Sequence, residues 1–147
     1  MSSTPGVTPI LLASGSPRRV EIMQGVRNQV TQVRPTNEEG PPLLGESPID
    51  YVRRMALEKC EAAPDQDADA VVLAADTIVV MDGQILGKPA DADETRLMLD
   101  QLRGKVHQVL TGVSVRNSPS AAPISEVTRT DVEMRKYTRQ EVSAYVL

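Results

Sequence analysis

A chain of 147 residues that is 40% hydrophobic and 24% charged has the length and composition of about one globular domain, which excludes a collagen-like, wholly disordered or disulfide-scaffold protein. The 16 basic against 20 acidic side chains, a net charge of −4, argue against a nucleic-acid polymer or an anionic membrane as partner, while leaving room for a local cationic pocket. With 3 Tyr, no Phe and no Trp, the core has to be built from Val, Leu, Ile, Ala and Met and is thin for the length.

The lone Cys60 cannot close an internal disulfide, and Met1 to Thr8 carries no basic segment leading into an apolar one. No stretch approaches the ~18 apolar residues of a membrane span. A cytoplasmic protein in a reducing compartment is the expectation.

Ile10-Leu11-Leu12-Ala13 reads as a short buried strand running into the turn Ser14-Gly15-Ser16-Pro17. Ser16 can cap a helix with Pro17 at its first position, and Val20, Ile22, Met23 and Val26 give that helix an apolar side. A second strand is expected around Gln29 to Val33, then a polar loop without a packing signal from Arg34 to Gly45. Ser47-Pro48-Ile49-Asp50 starts a helix whose apolar stripe is Ile49, Val52, Ala56, Cys60 and Ala63, closed by Pro64.

Val71 to Ala75 is a buried strand interrupted at Asp76, and Thr77 to Met81 continues as strand into the hairpin turn Asp82-Gly83 and the partner Gln84-Ile85-Leu86. After the loop Gly87-Lys88-Pro89, Asp91 with Glu94 opens a helix that closes near Gly104. Two longer strands, Val106 to Val115 and Ser125 to Met134, flank a Pro/Ser-rich loop. Strands alternating with capped helices predict an α/β domain with a mixed, twisted sheet. The capping box Thr138-Arg139-Gln140-Glu141 announces a last helix that stops at Leu147, which reads as a single domain, 1–147, lacking its final portion.

Arg18 and Arg19 stand in the first turn of a helix, where the dipole disfavours cations unless an anion is shared. The turn's N–H groups and the hydroxyls of Ser14 and Ser16 would receive such an anion; the plainer alternative is a solvated pair. Lys59 lies on the flank of an apolar stripe, either snorkelling or facing an anion, while Arg53, Arg54 and Glu58 take the wetter faces. Asp76 needs a partner if buried, whether a metal, a lysine or a backbone N–H, and is otherwise a bulge or turn residue with its charge in water. Glu38 and Glu39 could add oxygen ligands for Mg²⁺ or be solvated loop carboxylates. Gly87-Lys88-Pro89 is not a Walker A loop, because Pro89 stands where Ser or Thr is required. His107 reads as a structural or rim residue and Cys60 as packing. Together, Arg18, Arg19, Lys59 and Lys88 could neutralise a polyphosphate, with Asp76 and Glu38 or Glu39 holding a divalent metal.

Leu12-Ala13-Ser14-Gly15-Ser16-Pro17-Arg18-Arg19, Ala56-Leu57-Glu58-Lys59, Ala75-Asp76-Thr77, Leu86-Gly87-Lys88-Pro89 and Leu102 to His107 followed by Thr111-Gly112-Val113 resemble, in order and spacing, the Maf family of nucleoside triphosphate pyrophosphatases. The resemblance implies a Maf/ITPase-like α/β fold with a mixed twisted sheet, flanking helices and a cleft. It implies a Mg²⁺- or Mn²⁺-dependent house-cleaning hydrolase that cuts nucleotides between the α and β phosphates by metal-assisted water attack. On the same ground Asp76 matches the proton acceptor and a metal ligand, and Glu38 or Glu39 a metal-linked acid. Arg19, Lys59 and Lys88 match phosphate-contacting positions, while Arg18 and Thr77 look like the dTTP/UTP branch. The family's later Asp-Lys-Ala-Gly-Ala-Tyr and Ile-Gln-Gly stretches are absent from these residues. Two readings follow: a pyrophosphatase with a nucleoside triphosphate substrate, with a homodimer as a candidate assembly, and a non-catalytic remnant that binds nucleotide or a partner protein.

Overall fold

The computed structural model describes residues 8–26, 29–35, 39–63, 70–117 and 121–147. They form β1 (Ile10–Ala13), α1 (Pro17–Val26), β2 (Val30–Val33), α2 (Pro48–Glu61), β3 (Val71–Met81), β4 (Gln84–Leu86), α3 (Ala92–Leu102), β5 (Val106–Arg116), β6 (Ile124–Glu133) and α4 (Arg139–Val146). The strands follow the order β2-β1-β3-β5-β6, with β4 paired to β3. β1 is parallel to both β2 and β3, whereas β4 is antiparallel to β3, so the expected mixed α/β sheet is present. The chain divides into two compact units, Met1–Asp76 with Thr111–Val127 and Thr77–Leu110 with Thr128–Leu147, and β3, β5 and β6 contribute residues to both.

In the first unit β1 lies between two parallel neighbours, which explains why its sequence is an unbroken apolar run: Leu11, Leu12 and Ala13 are all buried. The core around it is Leu11, Ala13, Val33, Cys60, Ala63, Ala70, Val72 and Ala74, built without a single aromatic ring. Cys60 is buried packing, as expected. Ser47 caps α2 by accepting from the Asp50 N–H at 3.1 Å, and the buried face of this helix is Val52, Met55, Ala56 and Cys60. Ile49, expected on that stripe, is exposed, and Met55 takes the buried place instead. α2 presses on β5 so closely that a Cβ at Gly112 would stand 2.5 Å from the Val52 carbonyl oxygen.

α1 corrects a second expectation. Ser16 does cap it, accepting from the Arg19 N–H at 3.4 Å, but no residue of α1 is buried and Ile22 and Val26 are exposed. Apolar spacing alone does not bury a helix.

In the second unit Asp82 and Gly83 have positive φ, 51° and 77°, the geometry of a tight two-residue hairpin turn. Asp91 caps α3 by accepting from Glu94 N at 2.8 Å, while the Glu94 carboxylate accepts from Ala90 N at 2.7 Å. Gly104, at φ 64°, turns the chain out of α3, and Arg103 Nε donates to the Tyr137 carbonyl at 2.6 Å. Thr138 caps α4 by accepting from Glu141 N at 3.1 Å, whereas the Glu141 side chain pairs with Arg135 rather than returning to the cap. The packing of this unit also leaves His107 5% exposed, with Nδ1 lacking a hydrogen-bond partner among the described residues.

Candidate active site

The end of β1 delivers Ser14 into the turn before α1, where it is buried and held on several sides. Its N–H reaches the Val33 carbonyl at 3.1 Å and its carbonyl accepts from Gln32 Nε2 at 2.7 Å. Its hydroxyl oxygen accepts from the Ser16 N–H at 3.1 Å and from Arg19 Nη1 at 3.5 Å. Arg19 also donates to the Ala75 carbonyl at 3.2 Å, so the first turn of α1 is tied to the residue before Asp76. Arg18, its neighbour, is exposed.

Asp76 does not interrupt β3. It lies within the continuous strand Val71–Met81 and is 8% exposed, which overturns the alternative of a bulge or turn residue with a solvated charge. Burial of a carboxylate demands a partner, and the partner is Lys59: Nζ lies 2.8 Å from Asp76 Oδ1 and 2.6 Å from Glu39 Oε1. Lys59, in the last turn of α2, therefore does not snorkel; its side chain is only 11% exposed. Burial is the strongest influence on its ammonium and acts to lower the pKa. Asp76 and Glu39 together outweigh it, so Lys59 titrates above an ordinary lysine and stays charged.

Among the sequence-derived candidates, Ser14, Ser16, Arg19, Glu39, Lys59 and Asp76 are brought together in the first unit by these bonds. Glu38 lies outside the described residues. Thr77 and Lys88 belong to the second unit, both exposed, where Lys88 lines a pocket of about 300 Å³ with Leu86, Pro89, Glu94 and Met98.

Side chains that the sequence did not single out complete the surroundings. Gln32 holds the Ser14 carbonyl. Tyr51 Oη donates to the Gly40 carbonyl at 2.9 Å, and burial followed by the nearby charges of Asp76 and Glu39 pushes its pKa up. Arg54, expected on a wet face, is 25% exposed and grips Glu46 through Nε and Nη2, each at 2.8 Å. That hydrogen-bonded pairing with Arg54 holds the Glu46 carboxyl at about 2. The Arg54 and Glu58 spacing of one helical turn was the one legible signal for this network.

Among the described residues no three His, Cys, Asp or Glu side chains cluster as a ready metal cage. The donor chemistry nevertheless fits a hard divalent cation: two carboxylates, Glu39 and Asp76, already converge on one positive atom. Mg²⁺ in nucleotide sites is commonly held by one or two carboxylates, with substrate phosphates and water filling the rest of its shell.

A family model described as Maf-like protein matches residues 9–147. The chain belongs to the Maf family. A dTTP/UTP pyrophosphatase of Anaeromyxobacter dehalogenans is 45% identical over 139 residues, covering 93% of this chain and 69% of that protein. A dTTP/UTP pyrophosphatase of Dictyoglomus thermophilum is 35% identical over 137 residues, covering 93% and 71%. The fold of this Maf family member is shared more widely. The Ham1 protein of Staphylococcus aureus matches with a TM-score of 0.57 at 14% identity, covering 86% of this chain and 71% of that one. The HAM1 protein of Coxiella burnetii matches at 0.56 and 15%, covering 86% and 73%. Among the described residues no helix is long and apolar enough to cross a membrane.

Proposed function

We propose that this Maf family chain hydrolyses dTTP and UTP, and modified nucleotides of similar shape, to the nucleoside monophosphate and pyrophosphate. The observation that carries this reading is the Glu39–Lys59–Asp76 cluster, with Arg19 fixed on the adjoining Ala75 carbonyl. The names of the dTTP/UTP pyrophosphatases that match it support the substrate class.

Arg19, Lys59 and Lys88 are the phosphate-binding cations of this proposal, and the Ser14 and Ser16 hydroxyls orient the phosphate chain. Fixed cations of this kind stabilise charge that grows on phosphoryl oxygens during displacement. A water oxygen forms the new bond to the α-phosphorus, the bridging Pα–O bond breaks, and pyrophosphate leaves with the bonding electrons. The water proton passes to the Asp76 carboxylate. Glu39 and Asp76, with Glu38, are the residues that would hold Mg²⁺ or Mn²⁺, which supplies charge neutralisation at the phosphates when bound. Arg18 and Thr77 are assigned to base preference. A cytoplasmic location, a homodimer and the absence of a nucleic-acid polymer among the partners belong to the same proposal.

Incubation of UTP with the protein and Mn²⁺ in ¹⁸O-labelled water tests the bond that is cut. Attack at the α-phosphorus yields labelled UMP with unlabelled pyrophosphate. Formation of UDP and phosphate, or no product while UTP still raises the melting temperature, contradicts the reading and leaves a nucleotide-binding protein.

A further inference from the structure

The loop that carries Glu39 is tied to α2 at points other than Glu39 itself. Tyr51 holds the carbonyl of Gly40, the residue next to Glu39, at 2.9 Å. One turn further along the helix, Arg54 takes both oxygens of Glu46 at 2.8 Å, and its Nη2 reaches the Pro41 carbonyl at 3.5 Å. Glu46 in turn accepts from the Leu43 N–H at 3.1 Å, so the far end of the loop is closed on itself and on the helix. The guanidinium of Arg54 packs over the Tyr51 ring at 5.6 Å, making the two side chains a single brace.

Apolar burial does not fix this loop: Leu43 and Leu44 are exposed at 60% and 106%. Glu39 is itself 47% exposed, and an ion pair that open to water contributes little to holding a polar loop. A bidentate Arg–carboxylate pair, by contrast, fixes direction as well as distance.

We propose that Tyr51 and Arg54 are positioning residues for the reaction: they hold the Gly40 to Glu46 loop on α2 so that the Glu39 carboxylate stays on Lys59 beside Asp76. This deepens the proposed function and rests on it for the role of Glu39. The geometric claim has a readout of its own, the rate at which Lys59 is acetylated by acetic anhydride, followed by mass spectrometry. Releasing Glu39 removes one of the two carboxylates that cover Nζ and opens it to the reagent.

Tyr51→Phe, Arg54→Lys and Glu46→Gln, judged only where the melting temperature shows a folded chain, are each expected to raise Lys59 labelling by about threefold, the scale of one half-exposed ion pair. Glu39→Gln is expected to do the same. Adding Tyr51→Phe to Glu39→Gln is expected to raise it no further, because the brace acts through Glu39. Labelling that stays at the wild-type rate in the folded variants overturns the proposal. So does an undiminished Tyr51→Phe effect in the Glu39→Gln background, which marks a general opening of the structure. In turnover of dTTP, the brace variants are expected to lose about tenfold in kcat/KM, as for a displaced binding group. A wild-type protein inert towards dTTP and UTP would remove the functional reading while the labelling result stands on its own.

Discussion

Lys59 Nζ lies within hydrogen-bond distance of two carboxylates at once, 2.8 Å from Asp76 and 2.6 Å from Glu39. The inner pair, Lys59 with Asp76, has both side chains 11% exposed, so each charge depends on the other for solvation. Lys59→Met leaves Asp76 without its cation and is expected to destabilise the fold by about 3 kcal/mol in urea unfolding. Asp76→Asn added to Lys59→Met is expected to recover part of that loss, because no unpaired charge then remains. Strict additivity of the two substitutions would mean that the pair does not share its solvation.

Gly112 marks the closest approach of β5 to α2, with Val52 O 2.5 Å from the position of an added Cβ. The obstacle is backbone, which cannot rotate away, so Gly112→Ala is expected to cost about 1–3 kcal/mol. Gly15 has nothing within 4 Å of the same position among the described residues, and Gly15→Ala serves as the comparison, with little change in melting temperature expected.

Glu46 carries a pH signature. Its folded pKa, about 2, lies below the ordinary value of 4.5, chiefly through its hydrogen bonds to Arg54. A depressed carboxylate contributes stability that is fully present above the unfolded pKa and is lost as pH falls through the folded one. The stability difference between wild type and Glu46→Gln is therefore expected to be constant near neutral pH and to shrink between pH 4.5 and about 2. Urea midpoints measured across that range check it; a difference that grows on acidification would contradict it.

Cys60 is buried, and burial pushes its thiol pKa up. Thiol reagents attack the thiolate. Iodoacetamide is expected to spare Cys60 in the native protein and to label it only in denaturant, which makes the single cysteine a reporter of global opening.

Local signals in the sequence carried far. Ser47, Asp91 and Thr138 cap the helices they announce, and Asp82-Gly83 makes the expected turn, because capping and turn chemistry act between residues a few positions apart. What the sequence left open depended on distant partners. Whether Lys59 snorkels or pairs is decided by Asp76, 17 residues away. Whether Val26 is buried depends on what covers α1, and periodicity carries no information about that. Beyond the Arg54 and Glu58 spacing, the brace at Tyr51 and Arg54 was illegible for the same reason: its partners Gly40, Pro41 and Glu46 lie in a loop without periodic pattern.

Asp76→Asn isolates the carboxylate proposed to take the proton from water. It keeps the shape of the side chain on β3 and removes the proton acceptor proposed for hydrolysis. With Mn²⁺ and dTTP, wild type is expected to release pyrophosphate, and Asp76→Asn to do so at least about 100-fold more slowly, the usual contribution of a general base. Equal pyrophosphate release by the two proteins would contradict Asp76 as the proton acceptor, and none from wild type would contradict hydrolysis by this chain.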